Sequence, residues 1–177
     1  MATRSARCAG TTGRKDSNGE QQAWPRAEMH GGEHIAARDY NGRMKAPTTV
    51  EIVWERELVF AGRSGEAAMV LDSAGKAGPS PVQALVFALA GCMGMDVVHI
   101  LKKGRHDLRG VRVVVVAERA QDDPHRVTAV SVDFTVTGAV PKEQVERAIA
   151  LSHEKYCSVW HSMRQDIRCE SKFSVAP

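Results

Sequence analysis

The chain has 177 residues and a formal net charge of +3, from 24 basic and 21 acidic side chains. So small an excess of positive charge excludes a protein that binds nucleic acid mainly by electrostatic attraction, since phosphate binding requires a concentrated positive face. Hydrophobic residues make up 43%, which is typical of a soluble domain, and four cysteines are too few for a disulfide scaffold, so we expect any important cysteine to act chemically.

The amino-terminal segment, residues 1–43, holds a single residue of the Val, Ile, Leu and Phe group. It cannot bury enough apolar surface to offset the entropy of ordering it. Three explanations stay open: a disordered tail, a non-native or over-long start with Met44 as the true first residue, or a targeting segment. Its histidines, His30 and His34, are expected to be solvated rather than metal-bound. We therefore predict a folded domain over residues 44–177.

Alternating apolar residues predict that the folded part begins with a strand that has one buried face. Glycines in residues 62–65 indicate a turn, and residues 67–71 are predicted to form the returning strand. The apolar positions of the first strand are Val50, Ile52, Trp54, Leu58 and Phe60, with Arg56 interrupting them.

A helix is predicted from Pro81 to about Lys103. Ser80 is a good N-cap, proline suits the first helical position, and Gln83 can complete a capping box. Gly104 is a typical C-terminal stop. The twelve residues 84–95 carry no charged or strongly polar side chain, a run too short to span a bilayer. We therefore expect a soluble helix and no membrane association.

This helix is apolar on nearly all sides, and such a helix must be covered on all of them. A sheet from the same chain can cover only one side. We therefore expect a second copy of the chain to cover the rest, which predicts a homodimer with the helix near its centre.

The remainder predicts an antiparallel hairpin, a second helix, a short helical piece and a last strand. The resulting order, β-β-α-β-β-α-α-β, indicates the α+β class. In chain order, the predicted pieces are strands at 111–118 and 130–137, a helix from Pro141 to near Tyr156, a short piece at 158–164 and a strand at 167–175.

The four cysteines differ in their surroundings. Cys8 lies in the amino-terminal segment, and Cys169 points to the apolar face of its strand, where we expect a small core residue. Cys92 follows Gly91 on the central helix, at a place where a backbone or ligand can approach closely. Cys157 lies at the junction after the second helix. The pattern alone favours buried structural thiols for both.

Two segments around these cysteines resemble the OsmC/Ohr family of thiol peroxidases. Residues 80–98, SPVQALVFALAGCMGMDVV, are similar to the family's central-helix motif, and residues 146–159, ERAIALSHEKYCSV, to its second cysteine motif. The separation of 65 residues between Cys92 and Cys157 also fits. The resemblance covers residues 50–175 and implies an OsmC-like α+β fold, with antiparallel sheets packed around a long central helix in an intertwined homodimer.

The resemblance implies a mechanism in which Cys92 is the peroxidatic cysteine. Its thiolate attacks the O–O bond of an organic hydroperoxide, releases an alcohol and becomes a sulfenic acid, which the resolving Cys157 converts to a disulfide. An external dithiol or other thiol would reset the protein, with no bound cofactor or metal. Arg63 resembles the loop arginine that stabilises the thiolate and orients the peroxide. Such a protein would serve cytoplasmic defence against oxidative stress.

One position departs from the family pattern. Well-described members have a glutamate after the helix-opening proline, paired with the arginine, whereas this chain has Val82 there. Gln83 is the neighbouring group that could accept a hydrogen bond from Arg63 instead. The departure keeps a second hypothesis open, in which the protein is a non-catalytic dimeric module that binds a small apolar ligand.

Two further groups of polar residues lie near the cysteines. Asp96 shares a helical stripe with Cys92, and we expect it to play a structural role, such as bonding backbone donors across the dimer, rather than a catalytic one. His153, Cys157 and His161 are spaced as metal ligands would be on one continuous helix. We expect the helix to break near Cys157, so no metal is predicted.

Overall fold

The computed structural model describes residues 47–177, of which 48–177 form one compact unit. The predictions for the amino-terminal segment, including Cys8, His30 and His34, lie outside the described residues. The described elements are β1 Glu51–Arg56, β2 Val59–Ser64, β3 Ala67–Asp72, α1 Pro81–Lys103, β4 Asp107–Arg119, β5 Val127–Ala139, α2 Lys142–Leu151, a π-helical turn Ser152–Tyr156, α3 Ser158–Ser162 and β6 Arg168–Ala176.

The strands form two three-stranded sheets, which confirms the predicted α+β class. The first has the order β1-β2-β3 and is antiparallel throughout. The second has the order β4-β5-β6, in which β4 and β5 form the predicted antiparallel pair. β6 pairs with β5 in parallel, where the sequence predicted antiparallel sheets. The helices between β5 and β6 supply the crossover that a parallel pair requires.

The predicted first strand is two strands, and this part of the sequence-based prediction is wrong. β1 ends at Arg56, and β2 starts at Val59 after a tight turn in which Glu57 adopts a φ of 43°. The apolar face predicted to be buried is instead largely exposed in the single chain. Its exposed members are Val50, Ile52, Trp54 and Leu58.

The predicted bounds of α1 are confirmed by its caps. The Oγ of Ser80 accepts a hydrogen bond from the backbone N–H of Gln83 at 3.3 Å, and the Gln83 side chain accepts one from the N–H of Ser80 at 2.8 Å. Gly104 ends the helix, with its N–H donating to the carbonyl of Ile100. The Gln83 amide oxygen thus serves the cap, and a hydrogen bond from Arg63 to Gln83 stays a prediction.

The core lies between one face of α1, the helix α2 and one face of the second sheet. From Val130 to Gly138, β5 buries every second residue, as its alternating sequence predicts. Gly94 lets α1 approach β4, because a Cβ at this position would lie 3.2 Å from Cγ2 of Val113. The fully buried core side chains include Leu89, Met93 and Val97 of α1, Val132, Phe134 and Val136 of β5, and Val145 of α2.

The opposite face of α1 is open in the single chain. Phe87 is 68% exposed and Met95 is 74% exposed. By length and composition alone, α1 could cross a membrane, with a mean hydropathy of 2.0 over its most apolar window, of which 22% is buried. A core helix of a soluble domain has the same composition. One face of α1 packs in the core of the domain. No other described part of the chain covers the opposite face.

Candidate active site

Cys92 lies near the middle of α1, at the margin of its buried face. Its side chain is partly buried and packs against the core. It precedes the fully buried Met93, so its position is fixed by the packing of α1 on the second sheet. This placement leaves the Cys92 residue partly exposed.

Cys157 is positioned by a change of helix type. After α2, the chain makes one π-helical turn, in which the N–H of Cys157 donates to the carbonyl of Ser152 at 2.8 Å. Cys157 itself is extended, and its Sγ accepts the N–H of Trp160 at 3.3 Å, which caps α3. The predicted break near Cys157 is therefore confirmed. Single π-turns are frequent at functional sites.

The structure brings together the two cysteines that the sequence singled out. Cys92 Sγ, Cys157 Sγ and a carboxylate oxygen of Asp96 all lie within 4.8 Å of one another, and both cysteines are free thiols. A disulfide requires the sulfurs to approach to about 2.05 Å. From the observed distance, small side-chain movements can bring them together, so the arrangement is suited to reversible thiol–disulfide chemistry.

Asp96 links α1 to the π-helical turn within the same chain. Its Oδ2 accepts a hydrogen bond from the Oγ of Ser152 at 2.8 Å, and Ser152 is fully buried. The sequence predicted a structural role for Asp96 across the dimer and gave no role to Ser152. Their distances along the chain from the two cysteines could have drawn attention to them, since Asp96 is four residues after Cys92 and Ser152 is five before Cys157.

The surroundings of Cys157 keep its thiol protonated at neutral pH. Burial raises the pKa of Cys157 to about 12, and the hydrogen bond with Cys92 and the charges of Cys92 and Asp96 act in the same direction. The hydrogen bond from the N–H of Trp160 lowers the pKa and only partly compensates. Cys157 is therefore poorly suited to make the first nucleophilic attack, which requires a thiolate.

Arg63 lies on β2, in the other sheet, where its Nε is 3.0 Å from Oε2 of Glu51 in an ion pair. The two residues are directly opposite in the pairing of β1 with β2. Val82, at the position of the family's glutamate, packs against the core. Glu51 therefore supplies a carboxylate to Arg63 from a neighbouring strand. Sequence reasoning missed Glu51, although the hairpin register would have revealed it.

His153, Cys157 and His161 do not lie on one continuous helix, as the metal site suggested by their spacing would require. The π-helical turn and the extended Cys157 interrupt the single helix that His153, Cys157 and His161 would need. The His153 ring instead stacks on Trp160, with centroids 5.0 Å apart. The thiol pair and its neighbouring carboxylate have ligand atoms close enough to hold a metal ion, so the absence of a metal stays a prediction.

An apolar groove of about 630 Å³ lies on the open side of α1. Gly91, the neighbour of Cys92, lies in its wall together with Phe87, Met95 and Val113. Few polar groups face it, apart from His99 and Lys102 at one end. The groove could accept an apolar molecule next to the helix that carries Cys92.

Residues 73–172, more than half of the chain, match the family model described as OsmC-like protein. The chain belongs to the OsmC family. Protein YhfA of Escherichia coli strain K12 is 35% identical over 127 residues, which cover 70% of this chain and 95% of that protein. The resemblance drawn from the two cysteine motifs is thereby confirmed.

Solved structures share the OsmC-like fold. A hypothetical protein from Aquifex aeolicus VF5 is 24% identical with a TM-score of 0.69, covering 74% of this chain and 97% of that one. A Legionella pneumophila protein is 16% identical with a TM-score of 0.54, covering 75% and 98%. It is described as an organic hydroperoxide resistance protein and predicted redox protein. At these identities, the likenesses establish the fold.

Proposed function

We propose that this OsmC-family protein is a thiol-dependent peroxidase that reduces organic hydroperoxides through Cys92 and Cys157 in cytoplasmic defence against oxidative stress. The observation that carries the proposal is the approach of two free thiols to within 4.8 Å from separate parts of the fold. The description of the Legionella pneumophila relative as a hydroperoxide resistance protein supports the same chemistry. An external thiol reductant completes the cycle.

The surroundings of the two thiols support the roles proposed for them. Cys157 is fully buried and protonated, whereas Cys92 is partly accessible. Cys92 therefore attacks the peroxide: its thiolate sulfur takes the terminal oxygen, the O–O bond breaks, and the alkoxide leaves as an alcohol after taking a proton. The resulting sulfenic acid condenses with the Cys157 thiol to a disulfide and water.

The cation that such a thiolate requires is proposed to be Arg63. An opposite charge within about 4–6 Å favours the ionised form of a thiol. The ion pair with Glu51 supports this proposal, because it gives the guanidinium a fixed orientation in place of the glutamate that Val82 replaces. The placement of Arg63 beside a thiolate stays a prediction.

The proposed assembly is a homodimer that covers the open face of α1. The exposed Phe87 and Met95 support it, since large apolar side chains on a helix face are stabilised by burial. Replacing Met95 with aspartate should shift the protein toward the monomer in light scattering at micromolar concentration. The matched control is Val116→Asp, at a 59% exposed position on β4, which should leave the molar mass unchanged. A wild-type monomer would contradict the proposal.

The direct test of the peroxidase function uses the reduced wild-type protein and one equivalent of cumene hydroperoxide. We expect rapid loss of both thiols, a mass decrease of two hydrogen atoms per chain, and a disulfide-linked pair of peptides that contain Cys92 and Cys157. A dithiol should then restore the starting mass. No thiol oxidation on the minute timescale, or a bridge that involves Cys169 instead, would contradict the proposal.

A second candidate is a dimeric module that binds a small apolar ligand without catalysis. The apolar groove beside α1 favours it. Mass spectrometry of the denatured, freshly purified protein would then reveal a stoichiometric apolar molecule. Together with thiols that do not react with peroxide, that result would favour this second function over the first.

A further inference from the structure

We propose that Asp96 is a further catalytic residue, which carries the proton of the Cys157 thiol to the departing hydroxyl of the Cys92 sulfenic acid during disulfide formation. The inference rests on the proposed function, because it concerns the second step of that reaction. It assigns chemistry to a carboxylate that the sequence marked as structural.

The geometry places Asp96 beside both reacting atoms. One of its carboxylate oxygens lies within 4.8 Å of Cys92 Sγ and of Cys157 Sγ, a distance that a direct hydrogen bond or one bridging water can span after a small movement. Asp96 follows Cys92 by four residues on α1, so the two side chains share one helix face. The Asp96 carboxylate, as proton acceptor, therefore lies next to the Cys157 thiol that donates the proton and to the Cys92 sulfur that carries the leaving hydroxyl.

Ser152 holds this carboxylate in place. Its buried hydroxyl donates to Oδ2 of Asp96 at 2.8 Å, from the π-helical turn that also presents Cys157. One hydrogen bond thus ties the proposed base to the segment that carries the thiol it serves. A carboxylate needed only for packing would not have to lie within 4.8 Å of two thiols, where its negative charge opposes ionisation of Cys157.

The resolving step requires such a base. Cys157 must attack as a thiolate, yet its burial keeps it protonated at neutral pH, with a pKa of about 12. The sulfenic acid on Cys92 must at the same time lose its oxygen, and hydroxide is a poor leaving group unless it receives a proton. A single group that accepts the first proton and supplies the second meets both needs.

The step balances in atoms and electrons. The S–H bond of Cys157 breaks and its proton passes to the Asp96 carboxylate, while the sulfur attacks Cys92 Sγ. The S–O bond of the sulfenic acid breaks, and the hydroxyl takes the proton from Asp96 and leaves as water. The Cys157 sulfur is oxidised, the Cys92 sulfur is reduced, and Asp96 returns to its carboxylate form.

The test compares the wild type with Asp96→Asn, which preserves the shape and the acceptor for Ser152 but cannot accept the proton. Rapid mixing with cumene hydroperoxide, followed by acid quench and mass spectrometry, resolves the sulfenic acid from the disulfide. Oxidation of Cys92 should stay within about threefold of wild type. Disulfide formation should slow by roughly 100-fold, which is the low end of general acid–base effects.

The pH profile separates catalysis from a structural effect. Without the carboxylate, the rate should follow the small thiolate fraction of Cys157 and rise about tenfold per pH unit well below its pKa. The wild-type profile should be flatter, since the base removes that requirement. Cys92 and Cys157 lie within 4.8 Å of the Asp96 carboxylate, and His99 on α1 and His153 beside Ser152 are the histidines nearest along the two elements. Ser152→Ala, the control, should slow the step but keep the flatter profile.

Two outcomes would overturn the inference while leaving the peroxidase function intact. One is disulfide formation in Asp96→Asn at the wild-type rate after normal oxidation of Cys92. The other is a slower step with an unchanged pH profile, which would indicate a structural role. Failure of the wild-type Cys92 to oxidise at all would instead overturn the proposed function, and it is visible in the first step alone.

Discussion

Replacing Cys92 with serine is expected to abolish peroxide-dependent oxidation, lowering the second-order rate constant with cumene hydroperoxide by at least about a thousandfold. A serine hydroxyl at this position keeps nearly the same shape but does not ionise at neutral pH, and the attack requires an anionic nucleophile. The measurement is stopped-flow oxidation of the fully reduced protein, with circular dichroism to verify that the variant is folded.

Cys169→Ser is the matched control for this variant. Cys169 is a free, partly buried thiol on β6, outside the pair formed by Cys92 and Cys157. Its replacement should leave the rate constant unchanged. Cys157→Ser should still be oxidised at Cys92. With one equivalent of peroxide it should stop at the sulfenic acid, and excess peroxide should convert that to the sulfinic acid. If Cys92→Ser reacts as fast as the wild type, Cys92 is not the peroxidatic cysteine.

Replacing Leu89 with alanine should lower the free energy of unfolding by about 2–5 kcal/mol. Leu89 is fully buried on the core face of α1, so its truncation removes apolar contacts and leaves a cavity between the helix and the second sheet. Urea unfolding at a fixed protein concentration measures the change. A fixed concentration matters because dimerisation would contribute to the apparent stability.

Leu58→Ala provides the matched control, since it makes the same chemical change at a position that is 65% exposed. The loss there should be below about 1 kcal/mol. Equal losses for the two variants would mean that the α1 core face does not dominate stability. A large loss for Leu58→Ala alone would place the β1–β2 turn in a buried interface.

The limits of the helices were predictable because local chemistry sets them. Ser80 and Gln83 form the capping box that starts α1, and Gly104 ends it, so three residues fix a helix of 23. The alternation along β5 also predicted its buried face, because strand side chains point to opposite faces. In each case the decisive contacts lie within a few residues along the chain.

Strand pairing was harder to predict. The alternation from Val50 to Phe60 continues across the turn at Glu57, so pattern alone merged two strands into one. The apolar alternation of β1 predicted a buried face, although these side chains are exposed in the single chain. The parallel pairing of β6 depends on where the crossover delivers the chain, which is a tertiary property.

The same difference between local patterns and long-range contacts applies to the candidate site. Cys92 and Cys157 were found from two motifs that resemble a family, and the fold places their sulfurs side by side. The contacts of Asp96 with Ser152, and of Arg63 with Glu51, join residues 56 and 12 positions apart. The first pair depends on the packing of α1 against the π-helical turn, and the second required the β1–β2 register, which the prediction of one long strand hid.

The π-helical turn before Cys157 makes the thiol pair depend on an exact residue count. A π-turn holds one residue more than the matching α-turn, and each residue of an α-helix advances the chain by 100° and 1.5 Å. Loss of one residue between Ser152 and Cys157 would let α2 continue as a regular helix and swing the thiol away from α1. Apart from Ser152, whose hydroxyl holds Asp96, substitutions in this turn should therefore disturb the thiol pair less than a one-residue insertion or deletion would.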